Sequence, residues 1–296
     1  MPSLKDIRKR IGSVKNTQKI TRAMKLVAAA KLRRAQQSME RQRPYATHYR
    51  QMLVSLVSQS AGDTQSSHPL LERREEIKNV ALLVVSSDRG MCGGFNANVL
   101  KLAHQYAETR SAGGAEVQIF PLGRRADQFS HRSRFAIGAS LGESIAAGEQ
   151  GTVRDISQRL IDGFIQGEFD EVVIISNRFR SVIAQTPVAL PVLPVGQDEL
   201  EGGEKAHSDS SADLLYEPDE ESLLGHVVPR YVEVLVREAI LESVAGEHAA
   251  RMNAMNNATD NASEMISSLT LQMNRARQAA ITKELMEIIG GAEALK

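Results

Sequence analysis

The sequence predicts an α/β protein. Its long N- and C-terminal helices pair as an antiparallel coiled coil, and a doubly wound, mostly parallel α/β domain is inserted between them. Three observations lead there. The 67 residues from Arg230 to Lys296 contain no proline. Stepping through them in alternating threes and fours gives Leu241, Ala245, His248, Met252, Met255, Thr259, Ala262, Ile266, Leu269, Met273, Ala276 and Ala280. Ten of these twelve positions are apolar, and a period of 3.5 is that of a coiled-coil seam. A second helical stripe opens the chain, and strand-like runs alternate with helical ones between the two.

A helix from Arg230 to Ile289 would be roughly 90 Å long at about 1.5 Å per residue. A compact globule of this chain length has a radius of gyration near ~19 Å. The helix is therefore expected to stand out as a rod and to need a partner along its seam. The other end of the chain supplies one. Ser3 and Asp6 fit a capping box, which satisfies exposed amides at a helix start. Leu4, Ile7, Ile11 and Val14 follow at helical spacing. After the polar stretch Lys15–Lys19 the apolar pattern resumes at Ile20, Met24, Val27, Ala28, Leu32, Ala35 and Met39, and the polar stretch reads as a shift of register. Pro44 is expected to kink or end this helix near Arg43. The seams are rich in Ala, which lets backbones approach, and Met, which fills irregular gaps.

Between the helices, Asn79–Ser86 is a β-branched apolar run, as in a strand buried on both faces. The glycine-rich turn Ser87–Gly94 follows, then a helical pattern from Phe95 to Arg110. Glu116–Pro121 reads as a strand, Arg124–His131 as a short helix, Thr152–Gln166 as a helix and Glu171–Ser176 as a buried strand. Ser181–Leu193 reads as a last strand near an edge, because Pro187 and Pro191 cannot donate to a ladder. Gly196–Ser211 is polar, acidic and glycine-containing, as in a loop. The expected boundaries are 1–60 for the first coiled-coil helix, 75–195 for the Rossmann-like domain, 196–220 for an acidic loop and foot segment, and 221–296 for the second helix.

Composition excludes several classes. No run of 18 apolar residues is present, so no membrane span is expected. The N-terminus lacks the apolar stretch of a signal peptide. Its basic, acid-poor pattern superficially resembles a transit peptide but runs on for about 40 residues as a capped stripe, so none is expected. The single cysteine, Cys92, excludes an internal disulfide and suits a reducing compartment. Metal-ligand spacings such as C-x-x-C are missing, and the histidines at 48, 68, 104, 131, 207, 226 and 248 are scattered, so neither metal nor cofactor is expected. His248 falls on the seam and reads as a packed histidine.

Net charge is zero but unevenly spread. Residues 1–50 carry fourteen Lys/Arg against Asp6 and Glu40, whereas residues 198–221 carry ten Asp/Glu against Lys205. The basic face is either a solvated surface or one matched to an acidic partner. Nucleic acid is disfavoured, because Trp is absent and the few aromatics offer no stacking platform. A strand, a glycine turn and a helix start are how dinucleotide sites hold phosphate. Here Gly90, Gly93 and Gly94 do not space as G-x-G-x-x-G, so a tight turn is the simpler reading. Cys92 beside it has no motif of a catalytic thiol. A nucleotide-binding α/β enzyme and a coiled-coil scaffold or nucleic-acid binder remain the alternatives at this level.

Ile20–Lys31 (ITRAMKLVAAAK), Ser87–Asn96 (SDRGMCGGFN), Leu215–Asp219 (LYEPD) and Arg275–Ala292 (RARQAAITKELMEIIGGA) together resemble the gamma subunit of rotary F-type ATP synthases, of bacterial type. The resemblance runs from Met1 to Ala292. It implies a non-catalytic central rotor shaft that couples proton flow through the membrane sector to ATP synthesis or hydrolysis in a ring of alpha and beta subunits. Its implied partners are those subunits, the epsilon subunit and the membrane ring of c subunits, with one copy per complex and no nucleic acid. The implied location is peripheral, on the cytoplasmic face of the bacterial inner membrane. Matching positions place Met24, Lys25 and Arg251 where the shaft passes acidic beta-subunit loops. They place Arg277, Gln278, Thr282 and Glu284 against a catalytic-subunit loop higher up, and Tyr216 and Glu217 in the foot facing the membrane ring. The paired-cysteine insertion of redox-regulated chloroplast forms is missing.

Overall fold

The apolar run Asn79–Val85 forms strand β1, the centre of a five-stranded sheet. The structure, a computed structural model, describes residues 3–60, 68–138, 150–196 and 220–293. The elements in chain order are α1 (Leu4–Ser60), a 3₁₀ turn (Pro69–Leu71), β1, α2 (Phe95–Ala112), β2 (Glu116–Leu122), α3 (Arg124–Ser130), β3 (Ala136–Ile137), α4 (Gln150–Ile165), β4 (Glu171–Phe179), β5 (Gln185–Leu193) and α5 (Glu220–Glu293). They divide into two compact units, one of Met1–Ala29 with Arg251–Lys296 and one of Ala30–Ala250.

In the larger unit the strand order is β3-β2-β1-β4-β5. Strands β3, β2, β1 and β4 are mutually parallel. Strand β5 runs antiparallel to β4 at the edge, with Pro187 opposite Asn177 and Pro191 opposite Val173. An edge tolerates both prolines because one side of the strand needs no ladder donor. Alternate residues of β1 serve opposite faces, as the two-residue period requires. Val80, Leu82 and Val84 pack with Val99, Ala103 and Ala107 of α2 and Ala126 of α3. Ala81, Leu83 and Val85 pack in a cluster with α4, with Leu53 and Leu56 of α1, and with Val228, Val232 and Val236 of α5. The sheet is thus covered on both faces, and the terminal helices themselves supply part of one cover.

Asp170, before β4, ties the base of this sheet. Its carboxylate accepts the backbone amides of Lys78 and Asn79 at 2.9 and 2.8 Å and pairs with Arg74 at 2.6 Å.

In the smaller unit α1 and α5 run antiparallel. Ile7 and Ile11 pack on Leu269, with Val14, Met273 and Ala276 around them. Further along, Gln18 meets Ser263, Thr21 meets Thr259, and Lys25 meets Asn256. The Ser3–Asp6 capping box forms: the Asp6 amide donates to Ser3 Oγ at 3.2 Å, and the Ser3 amide to the Asp6 carboxylate at 3.2 Å. On α5 the seam is where its period puts it, with Met255, Ala262 and Leu269 buried and Thr259, Ile266 and Met273 half-buried.

Two expectations for α1 need correction. The helix does not end near Arg43 but carries Pro44 inside it to Ser60. The packing of Leu53 and Leu56 against the sheet lies beyond the proline and holds those later turns in place. Nor does the register shift at Lys15–Lys19. The seam keeps its strict heptad through Gln18, Thr21 and Lys25 to Ala28, Leu32 and Ala35, so that Ile20 and Val27 are 60% and 57% exposed. Polar side chains can occupy a seam when each finds a partner across it, as these three do.

Candidate functional site

The first candidate was the glycine turn. Met91 and Gly93 adopt φ of 60° and 58° there, the left-handed backbone that lets a strand reverse into a helix start within a few residues. The turn is closed by its own side chains. Ser87 Oγ donates to the Arg89 carbonyl at 2.7 Å, and the Ser87 amide donates to Asn96 Oδ1 at 3.0 Å. Asn96 Nδ2 donates to Cys92 Sγ at 3.2 Å, and Cys92 is 2% exposed. A phosphate cradle needs free amides converging on a ligand; here the Ser87 amide is taken by Asn96 Oδ1 and the thiol is buried. At the carboxyl end of β4, near where the strand order reverses and ligands bind in doubly wound sheets, Nδ2 of the buried Asn177 side chain donates to the Phe95 carbonyl at 3.4 Å. Among the described residues no group of His, Cys, Asp and Glu could hold a metal.

The second candidate is the paired-helix unit. Lys25 Nζ donates to Asn256 Oδ1 at 2.6 Å, which fixes the ammonium beside α5. Asn256 in turn donates to Asp260 at 3.0 Å. Met24, beside Lys25, is half-buried, as is Arg251, a little over one turn from Asn256 on α5. Ile20 and Val27, seven residues apart, form an apolar ridge 60% and 57% exposed on the outside of α1, and Leu26 beside it is 65% exposed. The sequence pattern hid this ridge by assigning Ile20 and Val27 to the seam; the unbroken heptad from Ile7 is the signal that reveals it.

Farther along α5, Arg277, Gln278, Thr282 and Glu284 are all exposed. Arg277 and Glu284 are seven residues apart and share a face, and Gln278 and Thr282 are i,i+4 neighbours beside them. The structure thus leaves all four exposed, on two adjacent faces of α5, and has Met24, Lys25 and Arg251 in the same compact unit. Around the four, every residue from Ile281 to Gly290 is exposed, including Ile281, Leu285, Met286, Ile288 and Ile289 at 50 to 70%. Tyr216 and Glu217 lie outside the described residues. No described helix is long and apolar enough to cross a membrane.

A family model described as ATP synthase matches residues 3–295. The ATP synthase gamma chains of Geotalea daltonii, Geobacter metallireducens and Nitratidesulfovibrio vulgaris are 46%, 45% and 41% identical to this chain, each over the whole of both chains. Among solved structures, the central stalk and c-ring of the Tetrahymena thermophila mitochondrial ATP synthase contain a chain 23% identical with a TM-score of 0.59, covering 81% of this chain and 99% of that one. A chain of the Euglena gracilis mitochondrial ATP synthase is 19% identical at the same TM-score, covering 99% and 94%. These two likenesses bear on the fold: long terminal helices and a mostly parallel sheet. With the family model and the bacterial relatives spanning the full length, the chain belongs to the ATP synthase gamma chain family.

Proposed function

We propose that this chain is the central shaft of a bacterial ATP synthase, a non-catalytic subunit that turns within the catalytic ring and couples ion flow through the membrane sector to ATP synthesis or hydrolysis. The observation that carries the reading is the end of α5. Ten consecutive helical residues, 281–290, are exposed on every side, and five of them are large and apolar. Exposed apolar surface of this extent marks an interaction site. Ile281, Leu285, Met286, Ile288 and Ile289 fall on one half of the helix and the Lys283–Glu287 pair on the other; the apolar half suits a surrounding collar, where apolar contact slides without breaking directional bonds.

The remaining contacts are assigned from the resemblance to the gamma-subunit family. Met24, Lys25 and Arg251 face acidic loops of the beta subunits, to which the basic face of α1 is matched in charge. Arg277, Gln278, Thr282 and Glu284 hydrogen-bond a catalytic-subunit loop nearer the tip. Tyr216 and Glu217 belong to the foot that meets the ring of c subunits, beside the epsilon subunit. The helical segments 1–60 and 221–296 supply the shaft, 75–195 is the α/β domain, and 196–220 is the acidic loop and foot segment. One copy serves each complex, peripheral to the cytoplasmic face of the inner membrane.

Native mass spectrometry of the assembly that a tagged copy pulls from its host's solubilised membranes tests the shaft: a single copy inside a ring of two alternating larger subunits is expected, and a free chain or homodimer overturns it. Replacing Arg277 and Gln278 together by Ala tests the tip contacts. Coupled synthesis is expected to fall while the α/β unit stays folded; unchanged synthesis removes the role given to them.

A further inference from the structure

Within the larger unit, α1 and α5 leave a groove of about 610 Å³ between them, lined by Arg41, Tyr45 and Tyr49 of α1 and by Arg230, Glu233 and Arg237 of α5 among others. The size is that of a small-molecule site. Arg230 and Arg237 are seven residues apart and share one face of α5, and Arg41, Tyr45 and Tyr49 repeat at four-residue spacing on α1. The charge is one-sided. Arg230 is paired with Glu233, the one carboxylate in the lining, at 2.6 Å. Among the described residues Arg41 and Arg237 have no hydrogen bond or ion pair, and Arg237 Nε is buried without an acceptor. A buried guanidinium N–H left unmade is costly, and planar guanidinium groups match oxyanions through paired hydrogen bonds.

We infer that this groove binds a polyvalent oxyanion of the phosphate class. Arg41 and Arg237 grip it from the two helices through their terminal guanidinium N–H groups, and the Tyr45 hydroxyl donates from the exposed rim. A free phosphorylated small molecule and a phospholipid headgroup present the same chemistry.

The test uses the purified full chain at low salt with two probes: pyrophosphate by calorimetric titration, and phosphatidylcholine vesicles containing phosphatidic acid by flotation. Arg41→Gln and Arg237→Gln are compared with Arg134→Gln, which removes an equal charge at a cation paired with Glu108. Binding at least tenfold weaker in the first two variants and unchanged in the third supports the site. An effect on pyrophosphate alone assigns a free ligand, and an effect on vesicles alone assigns a headgroup. Arg41 is exposed, so Arg41→Gln decides the matter if Arg237→Gln does not fold. Neither probe binding, or all three variants weakening binding equally, overturns the inference.

Discussion

Thr21 and Thr259 meet hydroxyl to hydroxyl, 2.8 Å apart, across the antiparallel helices. With Gln18–Ser263 at 2.7 Å and Lys25–Asn256 at 2.6 Å they make three successive polar layers in a seam that is otherwise apolar. Polar layers specify register, because a slipped pairing leaves their donors and acceptors unmatched. They also release less free energy than apolar layers would. Two hydroxyl hydrogens serve three contacts, so while one threonine donates across the seam the other donates to its own helix, to the Gln18 carbonyl at 3.1 Å or the Met255 carbonyl at 2.7 Å.

The Lys25–Asn256 bond is expected to be the strongest of the three, since one partner is charged. A double-mutant cycle of Lys25→Met and Asn256→Ala should give a coupling of about 1 kcal/mol, reduced from the value of a buried charged bond by solvent screening. Hydrogen exchange of the α1 amides around Lys25 reads it locally. A coupling indistinguishable from zero means the contact fixes geometry without stabilising it.

Asp170 should be costly to lose. Asp170→Ala leaves the Lys78 and Asn79 amides and Arg74 without their shared acceptor, for about 3 kcal/mol of destabilisation. Burial alone would raise this carboxyl, but the two amides and Arg74 outweigh it and hold it below the ordinary 3.8. Its contribution is therefore present above that value and fades as the pH falls below it. Thermal melting from pH 6 down to pH 2 should show the decline in the wild type and a smaller one in Asp170→Ala.

How much of this was legible in the sequence depended on whether the signal was apolar. The seam on α5 could be read because its heptad positions are filled by Ala, Met, Ile and Leu. The seam on α1 was misread from Ile20 to Val27, because Gln18, Thr21 and Lys25 carry no apolar signal while the solvent face does. Strand β3 is only two residues long and offers no period. Prolines 187 and 191 marked β5 as an edge, but its antiparallel direction follows from the chain's return along β4. The contact residues were reachable only through resemblance: among the described residues Arg277 and Gln278 have no contact that would set them apart, and their proposed partners are on other subunits.

The exposed tip gives a prediction that separates folding from coupling. Leu285 and Ile288 are 53% and 70% exposed, so replacing both with Ser should shift the stability of the isolated chain by no more than about 0.5 kcal/mol per site. Coupled ATP synthesis in the assembled complex should fall. Full synthesis with the double variant removes the enclosing collar from the proposal, whereas a large loss of stability means these side chains are packed in the free chain.

Glu242 on α5 gives the sharpest pH dependence. Its carboxyl is pushed up from 4.5 to about 7, first by burial and next by Glu238 one turn away; Arg178, the Phe179 amide and Arg43 of α1 pull the other way without prevailing. The nearest cation, Arg178 Nε, stands 3.9 Å from the carboxylate, too far for a good hydrogen bond. Glu242 also lines a cavity of about 280 Å³ together with Arg43, Arg180 and Glu238. A carboxyl whose folded pKa is raised is favoured in its protonated form by the fold. The unfolded chain gives up this proton above about pH 4.5 and the folded chain only near 7, so Glu242's contribution is whole below 4.5, is lost between the two values and is absent above them. The loss is on the order of 2 kcal/mol after allowance for solvent screening. Glu242→Gln keeps the shape and cannot ionise. Denaturation curves at pH 5 and pH 8 should therefore show the wild type losing stability between them, with the variant changing less and exceeding the wild type at pH 8. Equal slopes for both proteins would mean that solvent reaches Glu242 well enough to leave its ionisation unopposed.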